Sequence, residues 1–256
     1  MEGGTQNERW TPAPDRPVLR ADEVHVWRAN VDEITPALGE MERVLSAEEQ
    51  RRARRFRFAR HRQRFIVQHA VLRRVLARYL DVSPAALNFS FGSHGKPALA
   101  DGGKDAPSFN VSHSAGITLY AVTQHREVGI DVEWCLRKVD YVGIARRFFS
   151  AREAEALSVL PGEQRGAAFF ALWTCKEATL KAIGRGLFFP MNQVEVSLDD
   201  RNRPTLESIA GDESAARRWS CEELVPAEDY VATLVVEGNR WKVGRWRYVF
   251  DQGCGD

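Results

Sequence analysis

The chain carries one structural plan twice. Ser90-Phe91-Gly92-Ser93-His94-Gly95-Lys96-Pro97-Ala98-Leu99 aligns without gaps on Ser197-Leu198-Asp199-Asp200-Arg201-Asn202-Arg203-Pro204-Thr205-Leu206. Ser46-Ala47 precedes Phe65 by the same interval as Ser150-Ala151 precedes Phe169. The order helix, long helix, strand, turn, strand recurs at an offset a little above one hundred residues. Solenoid repeats have periods of roughly 20–50 residues, so self-similarity at domain length reads as a duplication. The expected fold is α+β, with two pseudo-symmetric lobes and the active site at their interface, where ligand clefts commonly lie.

The seam falls near Thr123 to Val128. Residues 1–19, rich in Gly, Pro and polar groups, read as a disordered leader. Residues 20–125 form the N-terminal lobe, 126–250 the C-terminal lobe and 251–256 a frayed tail. Val24 to Arg28 alternates in character and predicts a first strand. Ser46 followed by Glu48 and Glu49 predicts a capped helix start. Phe65, Val71, Leu72, Val75, Leu76 and Tyr79 continue at helical spacing, after a break. Leu87–Phe91, Ile117–Thr123 and Trp241–Phe250 read as strands, and Ser83-Pro84 opens a short element.

Composition narrows the function classes. With 44% hydrophobic and 28% charged residues and a formal net charge of +1, the chain reads as an ordinary globular protein without a bias toward nucleic acid or membrane. Eleven arginines between Arg51 and Arg78 make the charge uneven, but no nucleic-acid readout motif accompanies them. Cys135, Cys175, Cys221 and Cys254 form no Cys-x-x-Cys pair, which argues against zinc and redox motifs. There is no charged-then-apolar leader and no apolar run long enough for a bilayer, so the cytoplasm is the expected compartment. Gly-x-Gly-x-x-Gly, Gly-Lys-Ser/Thr and Gly-x-Ser-x-Gly are absent, and Gly184-Arg185-Gly186 reads as a helix-ending turn.

Two segments carry chemistry. Gly129-Ile130-Asp131-Val132-Glu133 reads as a strand, which puts Asp131 and Glu133 on one face. Trp173-Thr174-Cys175-Lys176-Glu177-Ala178-Thr179-Leu180-Lys181 reads as a helix, which stacks Glu177 and Lys181 one turn apart. Each pair has an ordinary explanation: a solvated strand face, and a surface ion pair worth a few tenths of a kcal/mol. The apolar neighbours Val128, Ile130, Val132, Phe169, Phe170, Leu172, Trp173, Leu180 and Ile183 argue against free solvation, and buried charges need partners. Together Asp131, Glu133 and Glu177 would be three hard oxygen donors suited to Mg²⁺, or Mn²⁺, with the Lys181 ammonium at their edge. Such a set suits phosphoryl chemistry, where charge builds on oxygens.

These two segments, with Gly95-Lys96-Pro97, Phe109-Asn110-Val111-Ser112-His113-Ser114 and Gly184-Arg185-Gly186-Leu187 before Pro190, resemble the 4′-phosphopantetheinyl transferases. The similarity is to the two-lobed, surfactin-synthetase-activating type and runs from about Ser46 to about Val196. It implies an enzyme that transfers the phosphopantetheine arm of coenzyme A to a serine of an apo acyl or peptidyl carrier protein, releasing 3′,5′-ADP. Asp131, Glu133 and Glu177 would hold Mg²⁺, with Glu133 binding directly, binding through water, or supporting the other ligands from outside the coordination sphere. Glu177 would be the base, directly or through a water on the metal, and Lys181 would stabilise the departing nucleotide. The resemblance places Lys96 near the coenzyme's phosphates, His113 on its 3′-phosphate in preference to His61, His69 or His94, and Ser112 beside them. Arg52 and Arg64 fall where the family has phosphate-binding basic residues, but its first basic position is filled here by Glu49 or Gln50, with Arg51 one step away. A duplicated chain holds one full site, so a monomer is expected. The alternatives are a non-catalytic coenzyme A or nucleotide binder of the same fold, and a nucleic-acid module using the arginine-rich helix.

Overall fold

The structure, a computed structural model, describes residues 10–250 apart from 35, 36, 102, 104, 187 and 188. The leader up to residue 9, the tail 251–256 and Leu187 of the glycine-rich turn lie outside the described residues. The first half runs β1 (Thr11–Pro12), β2 (Glu23–Asn30), α1 (Val31–Ile34), α2 (Leu38–Arg43), α3 (Ala47–Arg54), α4 (Ala59–Leu80), β3 (Phe89–Phe91), β4 (Pro97–Leu99), β5 (Ser108–Ser114) and β6 (Ile117–Thr123). The second runs β7 (Val128–Trp134), α5 (Tyr141–Phe148), α6 (Ala151–Val159), α7 (Gly162–Ala182), β8 (Val194–Leu198), β9 (Pro204–Ile209), α8 (Glu213–Ala216), β10 (Trp219–Leu224), β11 (Tyr230–Glu237) and β12 (Lys242–Arg247).

The duplication is visible in topology and in detail. β6 pairs antiparallel with both β2 and β5, as β11 does with both β7 and β10. Each lobe adds a separate hairpin, β3–β4 and β8–β9. Ser46 with Glu49 and Ser150 with Glu153 each form a reciprocal capping box, satisfying backbone N–H groups that a helix start leaves orphaned. Each boxed glutamate also holds a buried cation on the following long helix. Glu49 Oε2 accepts from Arg73 Nε at 2.8 Å, and Arg73 donates on to the carbonyls of Pro84 and Leu87. Glu153 Oε2 lies 2.7 Å from Lys176 Nζ, and Lys176 donates on to the carbonyls of Met191 and Val194. Glu49 thus has a structural task, closing the capping box and pairing with Arg73.

Two regions depart from the lobe boundaries read from the sequence. Thr11–Pro12 were expected in the disordered leader but pair with Trp246–Arg247, and the Trp10 indole donates to the Val225 carbonyl at 3.2 Å. β12 was expected in the C-terminal lobe but lies between β1 and β2, parallel to both, in the five-stranded sheet of the first lobe. The crossing covers the β2 edge, which would otherwise expose unpaired backbone groups. Trp246 and Tyr248 join the first lobe's core.

That core packs α4 against the sheet through Ile66, Val67, Val71 and Val75. A second core surrounds α7, with Phe149, Phe169 and Phe170. A third lies between the lobes, where Val24, Val26, Leu119 and Ala121 meet Val128, Ile130, Val132 and Leu234. All seven residues of β6 are buried because α4 covers one face and the second lobe the other. α7 lies directly on β7: a Cβ at Gly129 would stand 2.0 Å from the Ala178 carbonyl oxygen. The helix ends at Gly184, whose φ of +69° is the left-handed conformation of a helix stop.

Candidate active site

β7 and α7 bring the expected charges together at the seam. Lys181 Nζ lies 2.7 Å from Asp131 Oδ1 and also donates to Ser112 Oγ at 3.0 Å and to the Ile130 carbonyl at 3.1 Å. Ser112 in turn donates to Asp131 Oδ1 at 2.8 Å. Asp131 is only 6% exposed, and its second oxygen, Oδ2, is buried without a hydrogen-bond partner. Glu133 accepts from Ser114 Oγ at 2.9 Å and has Arg137 at 3.7 Å. No hydrogen bond or ion pair with a described residue engages the Glu177 carboxylate.

The three carboxylates act on one another. Burial raises the Glu177 pKa above the ordinary carboxylate range; the charges of Asp131 and Glu133 add to the rise, and Lys181 opposes it. Burial, then Asp131, raises Glu133, while Arg137, Ser114 and Lys181 pull it down. Among the described residues no group of three acids stands in ready coordinating positions. Asp131 faces Lys181 and Ser112, and Glu133 faces Ser114. The donor set nevertheless fits a hard divalent cation: three mutually repelling carboxylates, one with a buried oxygen that nothing else satisfies.

The remaining candidates fall at different places. His113, adjacent to Ser112 on β5, has its imidazole pKa lowered by the protein packed around it and then by Lys181 and Arg64, with Asp131 opposing. Those three charges reach it electrostatically, although alternation along β5 turns its exposed side chain to the face opposite Ser112. Arg64 is held by a bidentate pair with Asp32, at 2.9 and 2.7 Å. Lys96 clamps the seam instead of standing free: it lies 2.6 Å from Glu127 and donates to the carbonyls of Val128 and Ala182. It also borders a cavity of about 950 Å³ between the two lobes, lined further by Phe109, Arg185, Arg218 and Trp219. Arg52 lays its guanidinium over Phe65, 5.3 Å from the ring centre. Trp173 stacks on Phe169, as a core residue does.

Sequence reading missed Asn110, Ser114, Glu153 and Lys176. For Asn110 and Ser114 the signal is their alternation with Ser112, which shows only once the segment is known to be a strand. For Lys176 nothing local betrayed a fully buried ammonium, because its partner sits on another helix.

The family described as 4′-phosphopantetheinyl transferase superfamily matches residues 127–235, and that described as 4′-phosphopantetheinyl transferase, N-terminal, matches residues 26–125. The 4′-phosphopantetheinyl transferase HetI of Nostoc sp. is 39% identical over 93% of this chain and 98% of its own length. A 4′-phosphopantetheinyl transferase of Bacillus subtilis is 32% identical over 68% of this chain and 77% of its own. The transferase Sfp of the same species is 30% identical over 64% and 70%.

Proposed function

The chain belongs to the 4′-phosphopantetheinyl transferase superfamily and is an enzyme of that class, and on that premise we propose that it moves the phosphopantetheine arm of coenzyme A onto a serine of an apo acyl or peptidyl carrier protein and releases 3′,5′-ADP. The subtype would be the permissive, surfactin-synthetase-activating one, acting as a monomer in the cytoplasm. What carries the reading is the seam cluster of Asp131, Glu133 and Glu177 with Lys181 among them. No helix among the described residues is long and apolar enough to cross a membrane.

Coenzyme A would lie between the lobes, its nucleotide near Lys96, Ser112, His113 and Arg64, with Arg52 further out. His113 would donate to the 3′-phosphate, and Lys96 would exchange its Glu127 ion pair for a phosphate oxygen. Asp131, Glu133 and Glu177 would hold Mg²⁺, with Mn²⁺ a substitute; bound there, the cation neutralises the pyrophosphate and polarises the phosphorus. Glu177 takes the proton of the carrier's serine hydroxyl, which is a poor nucleophile until that proton leaves. The serine Oγ–P bond forms, the bond from phosphorus to the ADP oxygen breaks, and Lys181 stabilises the charge arriving on that oxygen. Asp131 holds the Lys181 ammonium in place for this task.

Chromatographic counting of 3′,5′-ADP tests the stoichiometry. One equivalent per modified serine, with strict dependence on Mg²⁺ or Mn²⁺, is expected. Coenzyme A binding without nucleotide release, across fatty-acid, polyketide and peptide carriers, would leave the non-catalytic binder as the correct reading.

A further inference from the structure

β5 and β7 are the facing edges of two different sheets, and no backbone ladder joins them. Side chains at every second position of β5 do the joining. Asn110 Oδ1 accepts from the Ile130 N–H at 2.9 Å, Ser112 Oγ from the Val132 N–H at 3.3 Å and Ser114 Oγ from the Trp134 N–H at 3.1 Å. The step of two residues on both strands matches two strands running parallel, with alternate side chains and alternate N–H groups meeting. Each serine hydroxyl then donates a hydrogen bond to the carboxylate just before the amide it caps. Ser112 donates to Asp131 and Ser114 to Glu133.

We propose that Asn110, Ser112 and Ser114 form a side-chain ladder that sets the register of the two lobes and aims the Asp131 and Glu133 carboxylates. Asn110 and Ser114 are thereby positioning residues for the transfer reaction. A backbone ladder would draw the strands to about 4.8 Å and leave no hydroxyl between them. Interposed side chains hold the strands further apart and give each hydroxyl two tasks, one in each lobe. The ladder satisfies N–H groups on an otherwise bare strand edge. A shift of β7 by one residue would take Val132 and Trp134 off their serine acceptors and turn Asp131 and Glu133 to the opposite face. The docking of the lobes and the geometry of the carboxylates are therefore one structural event.

The kcat and KM arm of the test rests on the proposed transferase function and the Mn²⁺ arm on its metal assignment; hydrogen exchange and melting temperature rest on neither. Ser114→Ala and Ser114→Thr are compared with wild type, because threonine keeps the hydroxyl and suits a strand. The readings are Mn²⁺ affinity by paramagnetic resonance on the protein alone, hydrogen exchange of the Trp134 amide, melting temperature, and kcat and KM for coenzyme A. Ser114→Ala is expected to weaken Mn²⁺ binding by about tenfold or more, as loss of a hydrogen bond to a metal ligand does, and to lower kcat by a similar factor with KM within about threefold. Its Trp134 amide should exchange faster, while Ser114→Thr stays within about threefold of wild type in every reading. Wild-type Mn²⁺ affinity and kcat in Ser114→Ala would overturn the proposal. So would equal losses in Ala and Thr at an unchanged melting temperature, or a wild-type protein that binds no Mn²⁺. A wild type that binds Mn²⁺ and protects Trp134 but modifies no carrier would sink the transferase function and leave the ladder standing.

Discussion

Asp131 shows what single residues contribute. Its Oδ1 is shared by Lys181 and Ser112, while Oδ2 is buried and bare. An unsatisfied buried carboxylate oxygen costs free energy that folding alone gives no reason to spend. Replacing Asp131 by Ala should leave the fold intact, since the lobes are held by apolar packing between them, yet turnover should fall by about 10²-fold or more. Glu177→Gln keeps the shape and removes the proton acceptor, with an expected loss of about 10²–10⁴-fold in kcat. Both are measured with saturating coenzyme A and Mg²⁺; a near-wild-type rate in either would remove that residue from its assigned role. At this scale the charge cluster was legible: two spacings put Asp131 with Glu133, and Glu177 with Lys181, on common faces. Arg64 and Lys96 were read as phosphate ligands, and their internal partners Asp32, Glu127 and two backbone carbonyls were invisible because those contacts join residues distant in sequence.

α7 is the element on which stability and site geometry meet. Gly129 lets it lie on β7, since a methyl group there would stand 2.0 Å from the Ala178 carbonyl oxygen and 2.5 Å from the Ala182 nitrogen. Both contacts are backbone and neither can swing away, so Gly129→Ala should destabilise by about 3 kcal/mol or more. Denaturant unfolding reads that cost, and activity should fall with it because the helix carries Glu177 and Lys181. A second hold is the buried pair Lys176–Glu153. Lys176→Met leaves a buried carboxylate without its cation and should cost about 3–5 kcal/mol in the same assay. Adding Glu153→Gln should recover part of that loss, whereas an additive further loss would show that the pair is not coupled. The helix start at Ser46 was readable because a cap is local. β5 was not readable, because a strand bearing Asn110, Ser112 and Ser114 looks like a loop until the strand it serves is known.

At the scale of the molecule, the duplication predicted two α+β lobes with the site between them, and the structure has that form. The return of β12 to the first lobe was not legible, because which sheet a terminal strand joins depends on which edge lies open. The same sheet makes stability sensitive to acid. His25, packed between Tyr79 and Trp246, has its pKa lowered from 6.5 chiefly by burial, as does His69 on Phe65. Below pH 6.5 the unfolded chain binds these protons and the folded chain resists them. Stability should therefore fall as pH drops from about 7.5 to about 5.5, steepening below the unfolded histidine value. His25→Gln removes one proton site and should flatten the fall. An unchanged slope would show that His25 is not among the groups responsible.

The central claim is that the seam cluster transfers a phosphopantetheine arm. Its most direct test is intact mass spectrometry of an apo carrier protein incubated with this chain, coenzyme A and Mg²⁺. The account predicts that the carrier gains one phosphopantetheine arm and that the Glu177→Gln protein adds none in the same time. An unmodified carrier with the wild-type chain, across several carrier types and with coenzyme A binding still detectable, would contradict it.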